Sequence, residues 1–249
     1  MHRRAAVLLS CAALAVAGPA APADAAPGAP NAGRALALAE CGYRRHLLEA
    51  RPDLATRFGV PGAELRLVPV TEATIARDGA WLTALAARLD SLDARALRPR
   101  ELARLDTLRA HLALERAPYA ARAWSTDPGT YLALVPGAIL DVALSRRVSP
   151  CARTQRAAGR LAAVPEVLRS AEINLREAEG VDRDRAVATW SAALDSLRNA
   201  LPAHLSSCNE PKRQAELVTA DTLACLAVEH FLRFLARDLP DGAPGTRGP

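Results

Sequence analysis

Few side chains in this chain could hold a metal or attack a substrate. The histidines are His2, His46, His111, His204 and His230. A catalytic zinc on one helix wants two histidines four residues apart with a glutamate between them, so that both rings leave the same face; no His-Glu-x-x-His is present. Glu229 and His230 are neighbours, and neighbours on a helix point about 100° apart. Cys225 and Glu229 do share a face, but no further ligands accompany them. His204 and Cys208 are also four apart, with Pro202 and a serine pair disturbing any helix between them. There is no Gly-x-Ser-x-Gly elbow, no glycine-rich phosphate loop and no Cys-x-x-Cys. Carboxylate pairs occur, but nothing marks one as a general acid/base couple. No residue is assigned a catalytic or metal-binding role.

One segment concentrates aromatic and polar groups: Arg122-Ala123-Trp124-Ser125-Thr126-Asp127-Pro128-Gly129-Thr130-Tyr131. Two readings stand. Arg122, Trp124, Asp127 and Tyr131 could contact a ligand from a loop. Alternatively, Asp127 caps a helix begun by Pro128, and the two rings plug the end of a core.

The N-terminus, MHRRAAVLLSCAALAVAGPAAPADA, has a basic start, an apolar run and an A-x-A pattern at Ala23–Ala25. That predicts a signal peptide over residues 1–25, cut between Ala25 and Ala26, and a secreted or periplasmic protein. Removing Arg3, Arg4 and Asp24 would lower the net charge from +5 to +4. Leu8-Leu9-Ser10-Cys11 resembles a lipoprotein box, but the better cleavage site follows it, so a lipid anchor at Cys11 is the lesser reading. The apolar run is short for a membrane span, and no membrane association is expected once it is removed.

Four cysteines then remain: Cys41, Cys151, Cys208 and Cys225. An oxidising compartment permits disulfides, and four cysteines allow three pairings. Cys151 at a helix start and Cys208 in a loop form the favoured pair. Cys41 and Cys225 lie amid apolar helical residues and read as buried thiols.

The elements that position these groups are helical. Hydrophobic residues make up 50% of the chain but aromatics only 4%, so the core must be Leu, Ala and Val. Leu and Ala favour helix, and β-branched runs are nearly absent. Lys212 is the single lysine, and the arginines are dispersed among carboxylates. No basic block with interleaved aromatics appears, which excludes the usual footprint of nucleic-acid binding. Glu101/Arg104 and Glu172/Arg176 read as solvated helix faces.

The predicted fold is all-α, an array of about seven to nine helices kinked or broken at prolines. Residues 26–33 read as a flexible leader, 34–239 as the helical domain and 240–249 as a disordered tail. Helices are expected over about 34–49, 71–92, 99–118, 128–145, 150–163, 165–178, 182–201 and 211–239, with a loop over 52–70. In RTQRAAGRLAAVPEVLRSAEINLREA (153–178), Leu161, Val164, Leu168, Ala171 and Leu175 mark a buried stripe. Arg160, Glu166, Arg169 and Glu177 mark the opposite face. A proline inside a helix costs about 3 kcal/mol, so a break before Pro165 is the expected solution, with a kink as the alternative.

That segment resembles one in the bacterial proteins grouped as domain of unknown function 885, where an Arg-rich helix, a Leu, a Pro and an Asn-Leu follow in this order. HLLEARPDLATRFGV is similar to the family's Pro, Ala-Thr, Gly signature at Pro52, Ala55, Thr56 and Gly59. RAWSTDPGTYLAL resembles its Trp, Asn/Asp-Pro, Tyr signature at Trp124, Asp127, Pro128 and Tyr131. The resemblance covers roughly residues 35–240. It implies that full-length members are longer, exported and similar to zinc carboxypeptidase-like hydrolases. Their zinc motif resembles His-Glu-x-x-Pro-Gly-His and lies in the second half. This chain has no equivalent of those histidines or that glutamate, so no catalytic residue carries over, and zinc is expected only in full-length relatives. The expectation is an exported helical half that is catalytically silent by itself. The alternatives are the substrate-cleft half of a split hydrolase, paired with a separately encoded catalytic half, or a binding or scaffold module.

Overall fold

The computed structural model describes residues 32–176, 178 and 180–239. Cys11, the Ala25–Ala26 cleavage position, most of the leader, Glu177 and the 240–249 tail lie outside the described residues.

The elements run α1 (Ala32–Ala50), α2 (Pro52–Arg57), α3 (Glu72–Asp90), a 3-10 turn (Ala94–Ala96), α4 (Pro99–Ala120), α5 (Ala123–Thr126), α6 (Thr130–Leu132), a π stretch (Ala133–Gly137), α7 (Ala138–Ala143), α8 (Pro150–Leu175), α9 (Arg183–Asp195), a second π stretch (Ser196–Ala200), α10 (Leu201–Leu205) and α11 (Pro211–Arg237). The π stretches join α6 to α7 and α9 to α10, so the described residues hold nine helices and no strand.

Local chemistry sets the starts. Thr71 and Thr74 form a capping box at α3. The Ser149 hydroxyl accepts from the Ala152 N–H, and Pro150 follows at the first helical position of α8. Prolines at positions 52, 99 and 211 likewise open α2, α4 and α11, where a missing N–H costs nothing.

Interior prolines behave differently from the sequence expectation. α8 does not break before Pro165; it runs unbroken for 26 residues. The lost hydrogen bond and clash cost about 3 kcal/mol, but five side chains of the stripe, Leu161 through Leu175, are at most 1% exposed. Each large apolar side chain buried contributes about 1.5–3 kcal/mol, which outweighs the penalty. α4 passes Pro118 by two residues. Pro136 sits inside the first π stretch, a local widening that accommodates a residue lacking an N–H donor. A second correction concerns residues 52–70: Pro52 starts the short helix α2 where a loop was expected.

The helices enclose two cores. The first, within α1–α4, gathers Leu36, Leu47, Leu82, Leu89, Leu105 and Leu112. The second surrounds α8 and α11, the most extensive helix pair, with Leu161, Leu168, Trp190, Val228 and Phe231. Tyr119 packs against both. The loop through Leu65 presses on α8 at Gly159, where a Cβ would meet the Leu65 carbonyl oxygen at 2.7 Å.

Candidate functional site

The densest polar chemistry among the described residues lies where the two cores meet. Arg51 links α1 to α2, and Pro52 starts α2 so that Asp53 lies in its first turn. The Arg51 guanidinium donates to both Asp53 carboxylate oxygens, at 3.0 and 2.8 Å. It also lies over the Trp124 ring, 5.2 Å from its centroid. Both charged groups are buried. Burial by itself would push the Asp53 carboxyl up, but the Arg51 charge and its hydrogen bonds win and hold it below the usual carboxylate range. Burial would likewise lower Arg51, and Asp53 reverses that, so the guanidinium stays charged.

Arg160 enters the junction from α8. It is fully buried rather than on the polar face that the sequence suggested. It donates to the carbonyls of Ala138 (2.5 Å), Pro52 (3.4 Å) and Ala63 (3.4 Å) and to the Thr56 hydroxyl oxygen (2.5 Å). Burial depresses its pKa, partly offset by Asp53, Asp141 and Glu64. One side chain thus ties α8 to α2, to the following loop and to α7.

On the other side of Arg51, His46 Nε2 lies 3.1 Å from Glu115 Oε1, and its ring stacks on Trp81 at 4.2 Å. Tyr43 lies beside Glu115; burial and then the Glu115 charge push its phenol well above the usual range. Tyr119 is pushed up to about 12 by burial, against the opposing Arg51 charge. The knot therefore contains an imidazole, two carboxylates, two guanidinium groups and two phenols, each facing protein.

The loop singled out in the sequence divides. Trp124 and Tyr131 are core residues, 1% and 0% exposed, and their rings meet edge to face at 5.5 Å. The Tyr131 hydroxyl donates to the Trp124 carbonyl (2.7 Å) and accepts from Asn174 Nδ2 (2.8 Å). Arg122 and Asp127 are exposed. Asp127 Oδ1 accepts from the Gly129 N–H at 2.7 Å. Arg122 adopts a left-handed backbone, φ 53°, between α4 and α5. The four do not converge on a common space.

Several of the remaining candidates also find internal partners. Cys151 and Cys208 form a disulfide that pins the start of α8 to the segment before α11. These sulfurs and Glu210 make the one grouping of three metal-capable side chains among the described residues, and sulfurs bonded to each other cannot serve as two thiolate ligands. Cys225 is buried as expected, whereas Cys41 is exposed, against the expectation. Glu229 pairs with Arg198, and Cys225 reaches Asp221. His230 Nδ1 lies 2.8 Å from Glu172, and Arg104 pairs with Glu40. Glu172 and Arg104 thus pair across helices rather than along their own.

Sequence reasoning missed the knot. A signal existed: Arg160 lies three residues after Ala157 and four before Val164, both fully buried, so helical spacing puts it on the apolar stripe. Arg51 and His46, 64 or more residues from Glu115, left no local trace.

Comparison with known proteins fits this arrangement. The model of a family described as "Bacterial protein of unknown function (DUF885)" matches residues 52–249. No curated protein matches the chain. A solved structure described as "a putative lipoprotein of unknown function from Shewanella oneidensis" is similar at a TM-score of 0.65 and 17% identity, covering 80% of this chain and 37% of that one. At that identity the likeness concerns the fold, and this chain spans little more than a third of that structure's length. The residues that carried the resemblance are those that tie the fold: Thr56 to Arg160, Tyr131 to Asn174, and the Pro128 carbonyl to Trp190 Nε1 at 3.2 Å. The chain belongs to the bacterial domain of unknown function 885 family.

Proposed function

We propose that this chain is an exported helical half that is non-catalytic by itself. One observation carries the reading. The side chains best suited to chemistry (His46, Asp53, Glu115 and Arg160) are buried and committed to one another or to backbone carbonyls. All four are at most 8% exposed, and a catalytic group needs at least a path to substrate. Export is supported by the signal-like N-terminus and by the Cys151–Cys208 disulfide, since disulfides persist in oxidising compartments. The similar structure's description as a lipoprotein agrees with an envelope location. No described helix is long and apolar enough to cross a membrane.

The experiment is peptide hydrolysis by the purified chain, with added zinc and with a chelator. No turnover above the protein-free rate is expected. Zinc-dependent hydrolysis abolished by the chelator would overturn the reading.

The substrate-cleft reading is the second one, with the catalytic half closing against this chain to form a hydrolase. It is favoured by an uncharged exposed face on α11, where Val218, Leu223 and Leu226 are 62%, 51% and 54% exposed.

A further inference from the structure

α8 and α11 start side by side, and the Cys151–Cys208 bridge joins their starts, with the two Cα atoms 4.6 Å apart. Pro150 opens α8, so Cys151 is the second residue of a 26-residue helix. Cys208 lies in the turn before Pro211, which opens the 27-residue α11. The first turn of a helix leaves backbone N–H groups without helical partners, and the aligned peptide dipoles place positive potential there. Acidic side chains near the start normally answer that potential. Neither first turn holds one. Arg153 on α8 and Lys212 and Arg213 on α11 add positive charge instead. Glu210 is the carboxylate beside the sulfurs, and it is taken by Arg213 at 2.5 Å.

This field decides what the cluster suits. The two sulfurs and Glu210 lie within 4.8 Å of one another, but two helix starts and a guanidinium disfavour a cation among them. They favour an anion, and the anion at hand is a thiolate. A cysteine thiol at a helix start or beside arginine ionises well below its ordinary ~8.5. A stabilised thiolate makes the dithiol form easier to reach, so such a bridge exchanges where a purely structural one resists. Access is uneven. Cys208 is buried and Cys151 half-buried, so an incoming sulfur reaches Cys151. The backbone of both cysteines is held without the S–S bond. Arg213 donates to the Cys151 carbonyl (3.3 Å) and to Gln155 Oε1 (2.8 Å). Gln214 Nε2 donates to the carbonyls of Leu205 (2.9 Å) and Cys208 (3.1 Å). Opening the bridge therefore leaves two thiols side by side in a standing fold.

We infer that Cys151–Cys208 is a thiol–disulfide exchange site, opened at Cys151 by a dithiol protein of the oxidoreductase class. A donor thiolate attacks the Cys151 sulfur. A donor–Cys151 bond forms, the Cys151–Cys208 bond breaks, and its electron pair leaves on Cys208, which takes a proton from solvent. The donor's second thiol loses its proton to solvent and attacks the donor's first sulfur, expelling Cys151 as a thiolate held by the start of α8. The bridge gains two electrons, and the donor ends as a disulfide. The inference stands apart from the proposed non-catalytic reading of the chain.

The test exposes the native, oxidised full chain to reduced glutathione at pH 7, with acid quenching and peptide mass mapping. The expected result is glutathione trapped on Cys151, at a rate that rises with glutathione concentration and exceeds the rate of global unfolding measured in parallel by circular dichroism. In Cys208→Ser, the pH dependence of iodoacetamide labelling at Cys151 should place its ionisation at or below ~7.5. Exchange no faster than unfolding, glutathione trapped on Cys208, or a Cys151 thiol that ionises above ~7.5 each overturns the inference. If Cys208→Ser does not fold, the wild-type exchange decides alone.

Discussion

Arg160 donates to the hydroxyl oxygen of Thr56 at 2.5 Å across 104 residues of sequence. With its bonds to the Pro52, Ala63 and Ala138 carbonyls, this contact fastens α8 to the first half of the chain. Replacing Arg160 by leucine keeps apolar bulk and removes every donor. A buried acceptor left alone costs about 1–3 kcal/mol, while relief from burying the charge offsets part of the loss. Arg160→Leu should lower unfolding stability in urea by about 3 kcal/mol. A loss below about 1 kcal/mol would mean that these bonds contribute little.

The Arg51–Asp53 pair makes a paired prediction. Asp53→Asn leaves a buried guanidinium uncompensated and should cost about 3–5 kcal/mol at neutral pH, whereas replacing both by apolar residues should cost far less. The wild-type pair also sets a pH window. The folded Asp53 pKa lies below its ordinary value of 3.8, so its stabilisation is present above about pH 4 and is lost as the pH falls through the folded pKa. Thermal melts from pH 6 down to pH 2 should fall more steeply for the wild type than for the double apolar variant.

The chain has three tyrosines, and burial raises the pKa of each above its ordinary 10.0, Tyr119 to about 12. A group with a raised folded pKa stabilises the fold below its unfolded pKa, and that stability disappears as the pH rises through the folded one. Titration at 295 nm should therefore show no tyrosinate at pH 10.5, and ionisation should coincide with unfolding at higher pH. Half-ionised tyrosine in a folded protein at pH 10 would contradict the packing of the knot.

The Cys151–Cys208 bridge closes a loop with a sequence separation of 57. On the chain-entropy account, a loop of that size stabilises by about 4 kcal/mol, less any strain. The double variant Cys151→Ser/Cys208→Ser should lose about 2–4 kcal/mol, and the wild type under reductant should melt like it. An unchanged melting temperature would mean that the bridge adds nothing to the fold.

Where periodicity was clear, the helices were legible. Leu105, Leu108 and Leu112 on α4 and Leu217, Ala220, Ala224 and Val228 on α11 face inward as their spacing demands. Pro165 was misread because local cost was weighed without the tertiary burial that α11 supplies to α8 on either side of it. α2 was missed because six residues are too few to display a period. The polar knot was illegible for a different reason. His46–Glu115 and Arg160–Thr56 join residues 69 and 104 positions apart, and a single sequence carries no local mark of such pairings. The Trp124–Tyr131 segment was legible as a cluster, and the two rings plug a core as its second reading had it, but Asp127 accepts from the Gly129 N–H in the turn before α6, which starts at Thr130 with no side-chain cap, rather than capping a helix begun by Pro128.

His46 pairs with Glu115 and Asp53 with Arg51 inside the protein, so this buried cluster is read as a structural knot rather than a metal centre. The most direct test is calorimetric titration of zinc into the purified, oxidised chain at pH 7. The account predicts no stoichiometric binding. One equivalent of zinc bound at micromolar affinity or tighter, lost on replacing His46 or Glu115, would contradict it.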